Sequence, residues 1–281
     1  MLTGSYYRFF IKIKIIDGNI QVSITNRQIK YIKSLQTKKG RTLYNQFTAE
    51  GIRLLEEVLH QDFLPDKLIY CPDSLSERGR NLVLGFEAKN IECIKTTDKT
   101  INAVSSTNTP QGVIAVLDIP KINQIESKLR KYRKILWCEN ISDPGNMGTI
   151  IRSALAFGFN MLITTGSCAD IYSPKVVRSS VGAIFKMNLW QTDNENVLIK
   201  AKKHRFMLIT SSLKGENQDK ILKNLNKNSK LILAIGSEGE GLSDKIISSA
   251  DYKIMIRHNR SVESLNASVA ASILMNSFYH L

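Results

Sequence analysis

The sequence predicts an α/β protein of two domains, and three observations carry that expectation. Short apolar runs alternate with helix-period stretches through most of the 281 residues, the pattern from which strand–helix–strand units are built. The alternation is most regular in the second half. Strand patterns at 134–139, 160–164, 206–210, 231–235 and 252–256 are each followed by a helical pattern, at 147–157, 174–182, 217–224, 243–248 and 264–279. Between the halves, residues 120–134 are charged and short of apolar residues beyond Ile and Leu, and a chain of this length can bury two cores. The expected boundaries are an extension over 1–22, a small α/β domain over 23–120, a linker over 121–133, and a doubly wound domain with a parallel sheet over 134–281.

The elements of the first half follow in order. The opening residues, MLTGSYYRFFIKIKII, alternate apolar and basic as an exposed strand would, and Arg8, Lys12 and Lys14 break the order that a signal peptide needs. A helix is expected over 26–35 and a basic loop over 36–41 (QTKKGR). Residues 48–59 read as an amphipathic helix capped by Thr48, with Ile52, Leu55, Val58 and Leu59 as its apolar stripe. Strands at 68–71, 91–94 and 113–117 and a helix at 76–84 complete the domain. Pro72 closes the first of these strands, and Pro120 follows the last.

Charge points to a polyanionic partner. The net charge is +14, and between Arg8 and Arg41 nine Lys or Arg residues face one acid, Asp17. Lys30, Lys33, Lys38, Lys39 and Arg41 are the candidate RNA-binding residues in that stretch. A solvated basic face, or a lysine bias in the genome, would give the same composition. The four cysteines, Cys71, Cys93, Cys138 and Cys168, have no metal-ligand spacing, which leaves no metal expected and fits a reducing, cytoplasmic setting. No apolar stretch is long enough to span a membrane. His60, His204 and His280 have no partner at catalytic or metal spacing and read as surface residues.

Three segments of the second half carry chemistry. In 140–159 (NISDPGNMGTIIRSALAFGF), the run Asp143-Pro144-Gly145-Asn146 makes a sharp turn between a strand and a helix that bears Arg152. Such a turn is a place to hold an anion or an activated oxygen. The strand at 231–235 runs into Gly236-Ser237-Glu238-Gly239-Glu240-Gly241. Its glycines allow close backbone approach to a ligand, and Glu238 supplies a carboxylate. A tight strand-to-helix turn would need the same residues. The spacing is GxxGxG rather than GxGxxG and lies late in the sheet order, which argues against a dinucleotide-dependent enzyme. The third segment, Glu263-Ser264-Leu265-Asn266-Ala267-Ser268, opens a helix rich in small residues.

In this order and spacing the three segments resemble the three motifs of the SpoU family of SPOUT-class RNA ribose 2′-O-methyltransferases, over roughly 134–281. The first half resembles the substrate-binding domain often fused to that catalytic domain, through Gln28-Ile29-Lys30, Phe47, Glu50-Gly51 and Thr109-Pro110-Gln111-Gly112. The resemblance implies a knotted, Rossmann-like catalytic domain beside a small α/β RNA-binding domain. It also implies a trefoil knot that holds S-adenosylmethionine, with backbone near Gly236, Ile256 and Leu265 and the loop starting at Thr210 in contact with that cofactor. It places Arg152 at the ribose 2′-hydroxyl. An arginine hardly releases its proton, so holding a phosphate or steadying the developing alkoxide is its safer role. A surface arginine paired with an acid is the bland alternative. Asn146 would orient Arg152 or simply close the turn, and Glu238 would pair with Arg152 or orient substrate. Ser264 and Asn266 would touch cofactor or ribose, or cap the last helix, and the two roles can coexist. A homodimer and a ribosomal RNA substrate follow from the same resemblance. Transfer RNA, or a non-catalytic RNA-binding or ribosome-assembly role, are the alternatives. The chain departs from the family at Arg257-His258-Asn259-Arg260, where Pro and Gly are usual. That change would weaken cofactor binding or add contacts to RNA phosphate.

Overall fold

A six-stranded parallel sheet organises the C-terminal unit of the chain, Pro120–Leu281, and a four-stranded mixed sheet the N-terminal unit, Met1–Ile119. The computed structural model describes residues 12–16, 19–61, 63–121, 125–192, 196–259 and 261–281. Residues 1–11, 17 and 18 of the expected extension, and Arg260 of the departing loop, lie outside the described residues. The described part of the extension pairs as an antiparallel hairpin, β1 (Lys12–Ile16) with β2 (Asn19–Ser23).

The N-terminal unit continues with α1 (Asn26–Ser34), α2 (Lys38–Tyr44), β3 (Gln46–Glu50), α3 (Ile52–Leu59), β4 (Lys67–Tyr70), α4 (Glu77–Ala88), β5 (Glu92–Lys95), α5 (Asp98–Val104) and β6 (Val113–Asp118). Its sheet order is β3-β6-β4-β5, with β6 antiparallel to both neighbours and β4 parallel to β5. Ile32, Leu35, Ile69, Ile101 and Val116 join in one buried cluster between α1, α5 and the sheet.

Two expectations are corrected here. Residues 36–41 are not a loop throughout. Thr37 caps α2 by accepting from Gly40 N at 3.1 Å. Glycine is required at position 40 because a Cβ there would stand 2.1 Å from Ser34 O, so the residue that reads as a breaker is a packing residue. Nor does Thr48 cap a helix. It is buried within β3, opposite Val116 of β6, and residues 47–50 are buried on both faces of the sheet. The helix starts at Ile52, after Gly51 at φ +108°. Its first free N–H donates instead to Gln111 Oε1, 2.8 Å away and 59 residues later in the chain. A long-range cap of this kind has no local signature.

The C-terminal unit contains α6 (Ile125–Lys131), β7 (Lys134–Glu139), α7 (Pro144–Ala156), β8 (Met161–Thr165), α8 (Pro174–Ser179), β9 (Asn188–Gln191), α9 (Asn196–Lys203), β10 (Phe206–Asn217), α10 (Gln218–Leu222), β11 (Lys230–Ile235), α11 (Asp244–Ser248), β12 (Tyr252–Met255) and α12 (Ala267–Ser277). The sheet order is β12-β10-β11-β7-β8-β9 with every pairing parallel. The order reverses between β7 and β11, so the loops at their carboxyl ends open a crevice there. Leu129 of α6 is buried in the same core as Trp137, Ile163, Val197 and Leu208, with Tyr132 packed against it, so the described residues at the end of the stretch expected as a linker are packed into this unit. Trp137 Nε1 donates to Thr165 Oγ1 at 3.1 Å, which satisfies the one polar atom of a side chain that is otherwise fully buried. β9 and α9 are additions to the expected pattern. In β9 Leu189 alone is buried, so the strand lacks the apolar run that marks its neighbours.

Candidate active site

The site is assembled where β7, β11 and β12 hand over to their loops. At the end of β7, Asp143 caps α7, its Oδ1 accepting from Asn146 N at 2.7 Å, and Pro144 fills the first helical position. That backbone N–H, with the Lys175 ammonium nearby, holds the Asp143 carboxyl below the usual aspartate range. The cap fixes the first turn of α7 and thereby the direction of the Asn146 side chain.

After β11 the chain doubles back. Ser237 and Gly241 exchange two backbone hydrogen bonds, at 3.2 and 3.1 Å. Only glycine fits at 236, because a Cβ would lie 2.1 Å from Gly241 C. The turn presents Glu238. Its Oε1 accepts from Asn266 Nδ2 at 2.7 Å, from Ala267 N at 2.9 Å and from Asn146 Nδ2 at 3.2 Å. Asn266 Nδ2 also donates to Asn146 Oδ1 at 3.0 Å. Three side chains from three separate segments thus form one hydrogen-bonded cluster, and the carboxylate lies at the N-terminus of α12, where the helix field favours it.

Of the two roles expected of Asn266, the cap is seen. Its Oδ1 accepts from Ser268 N, Ser268 Oγ and Val269 N and so caps α12. That leaves the amide nitrogen directed to Glu238 and Asn146. Arg152 stands about 9 Å further along α7 than Asn146. It is exposed, and among the described residues no acid pairs with it. Glu238 pairs with the two asparagines rather than with Arg152.

Beside the cluster lies a cavity of about 230 Å³. Glu238 belongs to both, and Gly236, Ile256, Ser264 and Leu265 line the cavity with it. Apolar walls come from Ile235, Ile254, Leu265 and Leu274, and polar edges from Ser211, Ser212, Glu240 and His258. Thr210 does not line it. Its side chain is fully buried and hydrogen-bonds to Tyr252 O at 3.5 Å, because β10 continues past the expected end and pairs with β12 on both sides of a register shift between Ser211 and Glu216. Of the loop expected to begin at Thr210, the next two residues, Ser211 and Ser212, line the cavity instead, and sequence reading did not single them out. Two small polar residues directly after an apolar strand were the available signal.

In the N-terminal unit Lys30 and Lys33 sit one turn apart on the exposed side of α1, and Lys38 and Lys39 are exposed in the first turn of α2. Arg41 is a correction. Although expected among the RNA-facing cations, it is buried and donates through Nη1 to Leu35 O at 2.8 Å, tying α2 back to the end of α1. Two of the residues quoted for the substrate-binding resemblance, Glu50 and Gln111, make long-range hydrogen bonds within this unit. Glu50 accepts from Ser105 Oγ, Ser106 N, Ser106 Oγ and Thr107 Oγ1, and Gln111 meets Ile52. Gln36 Nε2 donates to Val104 O and Ser105 O at 2.6 and 2.9 Å.

Comparison with known proteins matches residues 133–276 to the SpoU rRNA Methylase family and residues 26–115 to the MRM3-like substrate binding domain. The chain is 28% identical over 259 residues to the 23S rRNA (guanosine(2553)-2′-O)-methyltransferase RlmP of Bacillus subtilis, covering 92% of this chain and 97% of that protein. It is 27% identical over 259 residues to the 23S rRNA (uridine(2479)-2′-O)-methyltransferase of Streptomyces viridochromogenes, covering 90% of each. Among solved structures, the SpoU methyltransferase AviRb from Streptomyces viridochromogenes in complex with AdoMet superposes with a TM-score of 0.79 at 25% identity, covering 91% of this chain and 97% of that one. A putative RNA methyltransferase of the TrmH family from Porphyromonas gingivalis superposes with a TM-score of 0.76 at 26% identity, covering 91% and 98%.

Proposed function

The chain belongs to the SpoU rRNA methylase family, and from that premise we propose that it transfers a methyl group from S-adenosylmethionine to a ribose 2′-hydroxyl of ribosomal RNA. The observation that carries this reading is the Asn146–Glu238–Asn266 cluster sharing Glu238 with the cavity. When bound, the cofactor supplies a methyl group activated by a sulfonium. The cavity suits such a molecule. Ile235, Ile254, Leu265 and Leu274 offer apolar walls to adenine and the methionine chain, and Glu238 and Glu240 offer negative charge to a cation. Gly236, Ile256 and Leu265 are its backbone contacts in this reading, with Ser211 and Ser212 in the place expected of Thr210.

The remaining roles fall to the chain's own side chains. Glu238, held by three donors, orients the two asparagines and keeps a fixed charge at the cavity wall. Ser264 and Asn266 open α12 beside it and position the ribose. Arg152, exposed and uncommitted among the described residues, has donors available to hold a substrate phosphate and to stabilise negative charge developing on the 2′-oxygen. Lys30, Lys33, Lys38 and Lys39 attract the RNA, and the resemblance to a substrate-binding domain over 26–115 supports that role for the N-terminal unit. The division into an RNA-binding part over 23–120 and a catalytic part over 134–281, the trefoil knot and a cytoplasmic location belong to the same proposal. So does a homodimer. Val269 and Ile273, one turn apart on α12, and Tyr279 just past its end leave apolar surface exposed, at 48%, 38% and 50%, and a second copy would cover it.

The test is to incubate the purified protein with ribosomal RNA or transfer RNA and methyl-labelled S-adenosylmethionine, then digest with alkali. Label in an alkali-resistant dinucleotide from ribosomal RNA is the expected outcome. Label on a base, on transfer RNA alone, or none at all would overturn the reading.

A further inference from the structure

We propose that His258 is a cofactor-contacting residue whose imidazole Nε2 accepts a hydrogen bond from S-adenosylmethionine in the cavity. This inference rests on the function proposed above. After Met255 the chain leaves β12 along the cavity wall, and the side chains alternate. Ile256 and His258 line the cavity, while Arg257 between them is exposed and does not. His258 Nδ1 lies 3.0 Å from Ile256 O. A carbonyl oxygen only accepts, so Nδ1 must carry a proton. In the neutral ring that leaves Nε2 with a lone pair and no proton. The same bond ties the ring to its own backbone two residues earlier, so its orientation is set before any ligand arrives.

Among the described residues, the other ionisable side chains lining the cavity are Glu238 and Glu240. Two carboxylates and one imidazole acceptor therefore face a ligand that is rich in donors. S-adenosylmethionine offers an adenine amino group, two ribose hydroxyls and an ammonium, besides its sulfonium charge. Glu238 already spends Oε1 on Asn146, Asn266 and Ala267, which leaves room for a neutral acceptor from another wall. The competing account is that His258 only braces its own loop through Nδ1.

Two amide substitutions separate the accounts, because an asparagine amide can take the place of Nδ1 and a glutamine amide that of Nε2. The measurement is titration calorimetry of the full chain with S-adenosylmethionine, for wild type, His258→Asn and His258→Gln, with the melting temperature of each variant recorded. The expected result is an affinity about tenfold weaker in His258→Asn, the worth of one hydrogen bond inside a cavity. Most of that loss returns in His258→Gln, with melting temperatures close to wild type. Equal affinity in wild type and His258→Asn would overturn the role of Nε2 while leaving the cofactor reading intact. No binding by folded wild type would overturn the cofactor reading and this inference with it.

Discussion

The two sheets of this chain use polar side chains in opposite ways. At the carboxyl ends of the parallel sheet, Asn146, Glu238 and Asn266 come from segments 92 and 28 residues apart and point at one another beside a cavity. In the mixed sheet, the polar side chains that reach across the fold serve the fold. Glu50 ties down residues 105–107, Gln111 caps α3, Gln36 holds the end of α5, and Arg41 closes α2 onto α1. What that unit offers a partner is a set of exposed lysines on α1 and α2. The difference follows from the two tasks. Chemistry at one atom requires groups fixed to within a fraction of an ångström, whereas attraction of a polyanion requires only net field.

Breaking the comparison begins with Glu238. Glu238→Ala leaves two asparagine amides and a helix N–H without their acceptor, and methyl transfer should fall by about 10²–10³-fold. The fall is read as kcat/KM on ribosomal RNA, with the fold intact by circular dichroism. Glu50→Ala should do the reverse. Donors on Ser105, Ser106 and Thr107 lose a buried carboxylate, and the N-terminal unit should lose about 1–3 kcal/mol in denaturant unfolding, with cofactor affinity unchanged. An equal loss of cofactor binding would mean that the two units are not separable in this sense. The double substitution Lys38→Ala with Lys39→Ala should weaken RNA binding and lower the slope of log affinity against log salt by about 1–2, leaving cofactor affinity unchanged.

The smallest effect concerns pH. The Asp143 carboxyl is held below its ordinary value of 3.8, first by the Asn146 N–H and then by Lys175. A depressed carboxylate stabilises the fold above its unfolded value, and the stabilisation is lost as pH falls through the lower, folded value. The difference in melting temperature between wild type and Asp143→Asn should therefore be constant from neutrality to about pH 4 and shrink below it. A difference that grows on acidification would show the sign to be wrong.

How much of this could be read in the sequence follows the same division. β7, β8 and β11 carry buried, mainly apolar runs at 135–138, 161–165 and 231–235, and the turns after β7 and β11 are written in Asp, Pro, Gly and Asn and in Gly, Ser and Glu, so the site loops were legible. Asn146, Glu238 and Asn266 were each identifiable, but not that Glu238 pairs with the asparagines instead of Arg152, because that pairing depends on how three loops meet. The N-terminal unit was less legible wherever tertiary contacts override local pattern. Thr48 carries a capping residue's chemistry into a buried strand, Gly40 is a close-packing residue inside a helix, and Arg41 is a cation turned inward. Ser211 and Ser212 reach the cavity only because β10 runs on past Thr210 to pair with β12.

The central claim is that the cavity beside the asparagine–glutamate cluster is the S-adenosylmethionine site, and calorimetric titration of wild type beside Leu265→Arg tests it most directly. Leu265 lines that cavity, and an arginine there would fill it and add positive charge against a cationic ligand. The account predicts saturable binding by wild type that is abolished in the folded variant. Undiminished binding by Leu265→Arg, or none by wild type, would contradict it.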